Sequence, residues 1–352
     1  MKKLLSALLI LTLALGLLTG CGTAPKKGSV AAPKLRIVTT IFPIYDWVVN
    51  VLGEQAANAE VTMLLDNGVD LHSYQPTADD IVRISSCDLF IFVGGESDEW
   101  VEDALQEATN KNMVVINLME DLGNSVKEEE VVEGMEHDHD HEHEEGHEHE
   151  EDHEHEEDHA HEEDHDHDHE HEEVEYDEHV WLSLKNAAVL CRAISDALGQ
   201  IDGENAALYA ANADAYIEKL NTLDAQYQAA VDAAAHHTLL FGDRFPFRYL
   251  TDDYALDYYA AFVGCSAETE ASFETIIFLA GKLDELGLPV VLQIESADGS
   301  IARTVVENTQ SRDQQILTMD SMQSTTAKDI TAGASYLSIM EKNLDVLKAA
   351  LG

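Results

Sequence analysis

The amino-acid sequence predicts an α/β protein of two lobes, each a mostly parallel sheet flanked by helices, joined by one long rigid helix. Two separate stretches alternate between short runs of β-branched residues and longer segments with helical periodicity. Such alternation is typical of βαβ units. Between the two stretches, residues 204–235 contain neither proline nor glycine.

The first lobe is expected over residues 34–200. Its predicted strands are 35–41, 60–65, 88–93 and 113–118. Its predicted helices are 44–52, 77–86 and 98–109, with a further helix over 181–198. In open parallel sheets of this kind, ligands bind beyond the carboxyl ends of the strands.

The connecting helix is expected over residues 204–235. Its large apolar residues recur at spacings of seven, four, three, four and four, and they are Tyr209, Tyr216, Leu220, Leu223, Tyr227 and Val231. These spacings place them on one helix face. A helix of this span would be nearly 50 Å long at about 1.5 Å per residue, long enough to join two lobes.

The second lobe is expected over residues 236–352. Its predicted strands are 237–241, 257–263, 289–294 and 315–319. Its predicted helices are 244–254, 273–286, 300–309 and 331–351.

The N-terminus predicts export and lipid attachment. Two lysines precede an apolar stretch that ends in the sequence LTGC, so residues 1–20 have the features of a secretory signal peptide. The small residues before Cys21 resemble a bacterial lipobox, which implies a lipid anchor on Cys21 and a location on the extracytoplasmic face of the cell membrane. Residues 21–33 are expected to be a flexible tether. The alternative is an ordinary secreted protein in which Cys21 has no such role.

The formal net charge of −49 argues against nucleic acid as a partner, because phosphate binding needs a basic surface. Residues 137–171 hold 14 histidines and 19 acidic residues and only two other residues. This tract cannot form a core, so a disordered loop is expected. Its imidazoles predict several weak zinc sites, although a passive solubilising tract is the alternative.

Four residues that could bind a divalent metal come after predicted strands or at turns associated with them. They are His72, His179, Asp243 and Asp320. Each alone is a weak signal, because a histidine in a loop is usually a surface residue and an aspartate before a helix is usually a cap. Together, imidazole and carboxylate groups at strand ends are a typical donor set for a divalent metal.

Two of these residues lie in motifs that resemble a known family. Residues 68–77 read GVDLHSYQPT and residues 177–182 read DEHVWL. Both resemble motifs of the zinc- and manganese-binding solute receptors of ABC importers, with Leu71 in place of a proline. Zinc-specific members also carry a His-rich acidic loop before the second motif, as this chain does. The resemblance implies two lobes that hold one metal ion between them.

The third ligand departs from the family pattern. Receptors of this type place a histidine or glutamate in a turn that here reads FGDRF, and Gly242 stands at the ligand position. Asp243, one residue later, is the expected substitute, and Cys265 is an alternative. Asp320 corresponds to a late aspartate of the family and is the expected carboxylate ligand.

The function expected from this resemblance is capture of a divalent transition metal and delivery to an ABC transporter permease, by a monomer without enzymatic activity. The His-rich tract favours Zn²⁺, and Mn²⁺ is the alternative cargo. A metallohydrolase is disfavoured because the sequence has no HExxH motif. A surface adhesin or a metal buffer with the same architecture stays open.

Overall fold

The computed structural model describes residues 34–135, 175–266 and 270–352. The expected signal peptide, the lipid-bearing Cys21, the tether and the His-rich loop 137–171 lie outside these residues. Leu35–Gly352 form one compact unit. No helix within the described ranges is both long and apolar enough to span a membrane.

The first sheet contains four parallel strands in the order β2-β1-β3-β4. The strands are β1 (Leu35–Thr39), β2 (Ala59–Met63), β3 (Leu89–Phe92) and β4 (Val114–Asn117). The helices that accompany them are α1 (Phe42–Leu52), α2 (Ala78–Ser86), α3 (Trp100–Gln106) and α4 (Leu118–Leu122). Strand order reverses between β1 and β3, where a parallel sheet opens a crevice at its carboxyl edge.

Two long helices follow, α5 (Leu184–Ile201) and α6 (Ala206–Asp232). All six apolar residues predicted to share one face of the connecting helix are buried on α6. The Tyr216 hydroxyl donates to Asp46 on α1 at 3.1 Å, and the Tyr227 hydroxyl donates to the Met340 carbonyl at 2.6 Å. The helix therefore packs against the first lobe and against the C-terminal helix.

The second sheet has the same strand order as the first, β6-β5-β7-β8, again parallel. Its strands are β5 (Thr238–Phe245), β6 (Asp257–Val263), β7 (Val290–Gln293) and β8 (Gln315–Thr318). Its helices are α7 (Arg248–Asp253), α8 (Phe273–Leu286), α9 (Ser300–Glu307), α10 (Ala327–Thr331) and α11 (Tyr336–Leu351). The predicted two-lobe α/β fold is confirmed.

The largest buried apolar cluster is continuous from the first sheet through α5 and α6 into the second lobe. A smaller cluster, which includes Leu240, Leu279 and Val291, packs between β5, β7 and the helices α8 and α9. The lobe boundaries expected from the sequence therefore stay predictions, because one core joins the two sheets.

One element differs from its prediction in a way that affects the site. The strand expected to end at residue 241 continues to Phe245, and the helix expected from residue 244 begins at Arg248. A bulge between Phe241 and Arg244 interrupts the pairing with β6, which then resumes. Pro246 ends the strand, since proline cannot donate to a ladder and holds the preceding residue extended.

Candidate metal centre

His72 is held in a short helical turn in the loop that follows β2. The turn spans Leu71–Ser73, and the Asp70 side chain caps it by accepting the His72 backbone N–H at 3.1 Å. Leu71 is fully buried and anchors the turn in the first lobe. The His72 side chain is 10% exposed, so one edge of its ring is accessible from the crevice.

His179 precedes a second short turn, Val180–Leu182, and its side chain is fully buried. Asp177 Oδ1 accepts the His179 backbone N–H at 2.8 Å and lies 3.0 Å from His179 Nδ1. Trp181 is also buried, and its indole N–H donates to the Ser321 carbonyl at 2.8 Å. The second motif thus fixes His179 and ties it to the second lobe.

The two imidazoles face each other across the crevice with their Nε2 atoms 3.1 Å apart. His72 Nδ1 lies 2.8 Å from Ser97 Oγ and 3.4 Å from Glu178 Oε2, and His179 Nδ1 lies against Asp177. Carboxylates beside both Nδ1 atoms favour protonation there, which leaves a lone pair on each Nε2. Two such lone pairs in contact repel each other, and a cation between them relieves the repulsion.

Glu178 is a buried carboxylate that supports His72 from behind. Burial opposes its ionisation, but hydrogen bonds from His72 and Ser97 lower its pKa below the ordinary value. Gly95 makes room for it, because a Cβ at that position would lie 2.4 Å from Glu178 Oε1. Gly95 also has φ +82°, a left-handed conformation that favours glycine.

Cys265 completes the group that the structure brings together. One nitrogen of each imidazole and the Cys265 sulfur lie within 4.8 Å of one another, and this is the one group of three or more such side chains found in the described part of the chain. Gly264 packs on the His179 ring, where a Cβ would lie 2.9 Å from Cε1. Burial and the nearby charges of Asp177, Glu129 and Glu178 raise the pKa of the Cys265 thiol well above its ordinary value.

Asp243 is not part of this group. The sequence places it at the end of a strand next to a helix N-terminus, and that placement is wrong, because Asp243 lies inside β5 at the bulge. Its two oxygens accept the backbone N–H groups of Arg244 at 2.8 Å and Ile294 at 2.9 Å. The second bond joins β5 to the end of β7, where the backbone ladder is short. Its proposed role as a ligand stays a prediction.

The neighbouring Gly242 leaves no room for a side chain. A Cβ at this position would lie 2.7 Å from the Ala302 Cα and 3.0 Å from the Ala302 nitrogen on α9. The histidine or glutamate that the resemblance leads one to expect there would collide with this helix. In this chain, the packing of α9 against β5 therefore requires a residue without a side chain at position 242.

Asp320 follows β8, as expected from the sequence, but it also lies outside the group of three. Its Oδ1 accepts the Met322 backbone N–H at 2.8 Å. Burial and the adjacent Glu295 carboxylate raise its pKa to about 6. Glu295 itself accepts hydrogen bonds from the backbone N–H and the hydroxyl of both Ser321 and Ser324.

Sequence reasoning missed several residues that position the ligands. Arg244 donates to Asp70 at 2.8 Å and to the Ser266 carbonyl at 3.2 Å, so it links the segments that carry His72 and Cys265. Gln323 is buried, and its side-chain amide lies beside Asp70 and the His179 ring. Ser97 could have been expected from its position after β3, at the point where strand order reverses.

A cavity of about 230 Å³ opens beside this centre. It is lined by His72, Ser97, Glu178 and Cys265 together with Glu96, Glu129, Glu175 and Tyr176. The backbones of Glu128 and Tyr176 pair as an antiparallel bridge at its rim. A second cavity of about 400 Å³ lies between Asp70, Asp243 and the start of α9.

Known proteins resemble this chain over nearly its whole length. The zinc-binding protein AdcA of Streptococcus pyogenes is 29% identical over 322 residues, which cover 92% of this chain and 57% of that protein. The chain thus spans little more than half of that streptococcal relative. The high-affinity zinc uptake system protein ZnuA of Bacillus subtilis is 27% identical over 353 residues, which cover 100% of this chain and 99% of that protein.

Among solved structures, the Zn(II)-bound ZnuA-like domain of Streptococcus pneumoniae AdcA superposes with a TM-score of 0.65 at 25% identity, over 90% of this chain and 99% of that one. Residues 37–350 match the family described as "ZnuA: Zinc-uptake complex component A periplasmic". This match confirms the resemblance seen in the two motifs. The chain belongs to the ZnuA family.

Proposed function

We propose that this protein captures zinc outside the cytoplasm and delivers it to the permease of an ABC importer. The single observation that carries the proposal is the pair of imidazoles whose Nε2 atoms face each other at 3.1 Å, each with its Nδ1 against a carboxylate. In a tetrahedral zinc site with Zn–N bonds of about 2.0–2.1 Å, two nitrogen ligands lie about 3.3 Å apart. The pair needs little movement to bind a metal ion.

The proposed role is binding without catalysis. His72 and His179 lie on two separate loops. Bonds between the lobes hold these loops in place, and one of these bonds is the ion pair of Arg244 with Asp70 at 2.8 Å. Release would then require these contacts between the lobes to open.

The proposed location is the outer face of the cell membrane, with lipid on Cys21. The support is the signal-like sequence before Cys21 and the names of relatives, one of which is the zinc-binding lipoprotein AdcA of Streptococcus pneumoniae. Zinc, rather than manganese, is the proposed cargo because the relatives named above are zinc-binding or zinc-uptake proteins.

Complementation of a strain that lacks this protein tests the proposal. Growth under zinc chelation should require the protein and should recover when zinc is added, but not when manganese is added. The His72→Ala/His179→Ala variant should fail to support growth. The matched control is His236→Ala/His237→Ala, which removes two imidazoles that are half-buried or exposed outside the centre. Normal growth with the first variant would refute the assignment of the site.

A further inference from the structure

The metal centre needs a third protein ligand, and β5 does not offer one. Gly242 has no side chain and no room for one, Asp243 binds two backbone N–H groups, and Arg244 is a cation bonded to Asp70. A positively charged guanidinium next to these residues disfavours a metal cation there. The third donor must therefore come from another element.

Cys265 occupies the place where that donor is needed. It follows β6, the edge strand next to β5, and its sulfur lies within 4.8 Å of one ring nitrogen of each histidine. In a tetrahedral zinc site with a Zn–S bond of about 2.3 Å, sulfur and nitrogen ligands lie about 3.6 Å apart. Movement of the sulfur towards the two imidazoles would give a site of two imidazoles and one sulfur.

The backbone around Cys265 holds it towards the histidines. Gly264 lies so close to the His179 ring that a side chain would push the two apart. On the other side, Arg244 donates to the Ser266 carbonyl at 3.2 Å, and the Cys265 backbone N–H donates to Glu129 Oε1 at 3.4 Å. By contrast, Cys87 and Cys191 lie buried in the apolar core. Cys265 is thus the described cysteine that borders the cavity.

We propose that the Cys265 sulfur is the third ligand of the metal centre and biases the site towards zinc and against manganese. This inference rests on the proposed function and deepens it. Zinc binding would displace the thiol proton, which is released to solvent. The resulting thiolate is a soft ligand that suits zinc, whereas manganese prefers carboxylate, carbonyl and water oxygens. With two imidazoles and a thiolate, the centre differs from the site of imidazoles and carboxylates predicted from the sequence.

The test combines X-ray absorption with affinity measurements on the full chain. Substoichiometric zinc, buffered by a competing chelator, fills the tightest site and leaves weaker sites empty. The expected result for the wild type is a sulfur scatterer at about 2.3 Å that disappears in Cys265→Ser. The affinity for zinc should fall by more than the 10–100-fold expected for loss of a residue that only orients a ligand. Cys191→Ala is the matched control and should keep both the scatterer and the affinity.

A second variant tests the metal preference without depending on the loss of binding. Cys265→Asp replaces the soft ligand by a hard one, so the ratio of zinc to manganese affinity should fall. Tight zinc binding by the wild type with only nitrogen and oxygen ligands, unchanged in Cys265→Ser, would overturn this inference and leave the proposed function intact. Absence of tight zinc binding by the wild type would overturn both.

Discussion

Asp177 should control zinc affinity although we do not assign it as a ligand. Its Oδ1 accepts the His179 backbone N–H at 2.8 Å and lies 3.0 Å from Nδ1 of the same residue. Asp177→Ala removes both contacts, so the ring loses its fixed tautomer and orientation. Loss of such an outer carboxylate typically lowers metal affinity about 10–100-fold. This corresponds to about 1.4–2.7 kcal/mol of binding free energy.

Asp177→Asn should have a smaller effect, because the amide oxygen can still accept both contacts while the negative charge is lost. The assay is competition of the full chain against a chelator of known zinc affinity, with free zinc held too low for weak sites to fill. Glu218→Ala is the matched control, since it removes an exposed acid on α6 far from the centre. Equal zinc affinity in Asp177→Ala and wild type would refute the argument that this carboxylate positions His179.

Three further predictions concern other parts of the chain. Deletion of residues 137–171 should leave one tight zinc site and remove additional weaker equivalents in a calorimetric titration, because the acidic tract has no core-forming residues; loss of the tight site would contradict this. Gly242→Ala should lower the free energy of unfolding by about 1–3 kcal/mol in denaturant titration, because its Cβ would lie 2.7 Å from the Ala302 Cα; unchanged stability would contradict the packing argument. Burial raises the pKa of Asp98 from 3.8 to about 7. Asp98 therefore binds a proton more tightly in the folded state than in the unfolded state. The stability that this bound proton contributes is lost as pH rises from about 4 to 7. The free energy of unfolding of Asp98→Asn should therefore exceed that of wild type by an amount that grows across that range and reaches at most about 4 kcal/mol above pH 7. A difference that does not grow with pH would contradict this.

The sequence predicted the fold because its periodic signals are strong and local. All eight strands of the described residues were expected, and the spacing of its apolar residues predicted the buried face of α6. Both histidines could also be predicted, since each lies in a motif that combines a histidine with turn-forming and anchoring residues. His72 and His179 are 107 residues apart, yet both loops meet at one crevice.

The proposed third ligand, Cys265, is only an alternative from the sequence, because its place beside the histidines depends on tertiary packing. Whether β5 ends at Phe241 or continues depends on its pairing with β6 beyond the bulge, which the local sequence does not encode clearly. The lack of room at Gly242 depends on how closely α9 approaches. Cys265 alone gives a weak signal, and its proximity to the histidines becomes visible only when β6 is placed beside β5.

Diffraction at the zinc absorption edge, from crystals of the full chain grown with zinc, tests the central claim most directly. The account predicts an anomalous peak between His72 and His179, about 2.0–2.1 Å from each Nε2 and about 2.3 Å from the Cys265 sulfur. A strong peak at the carboxylates of Asp243 and Asp320, with none between the two imidazoles, would contradict it.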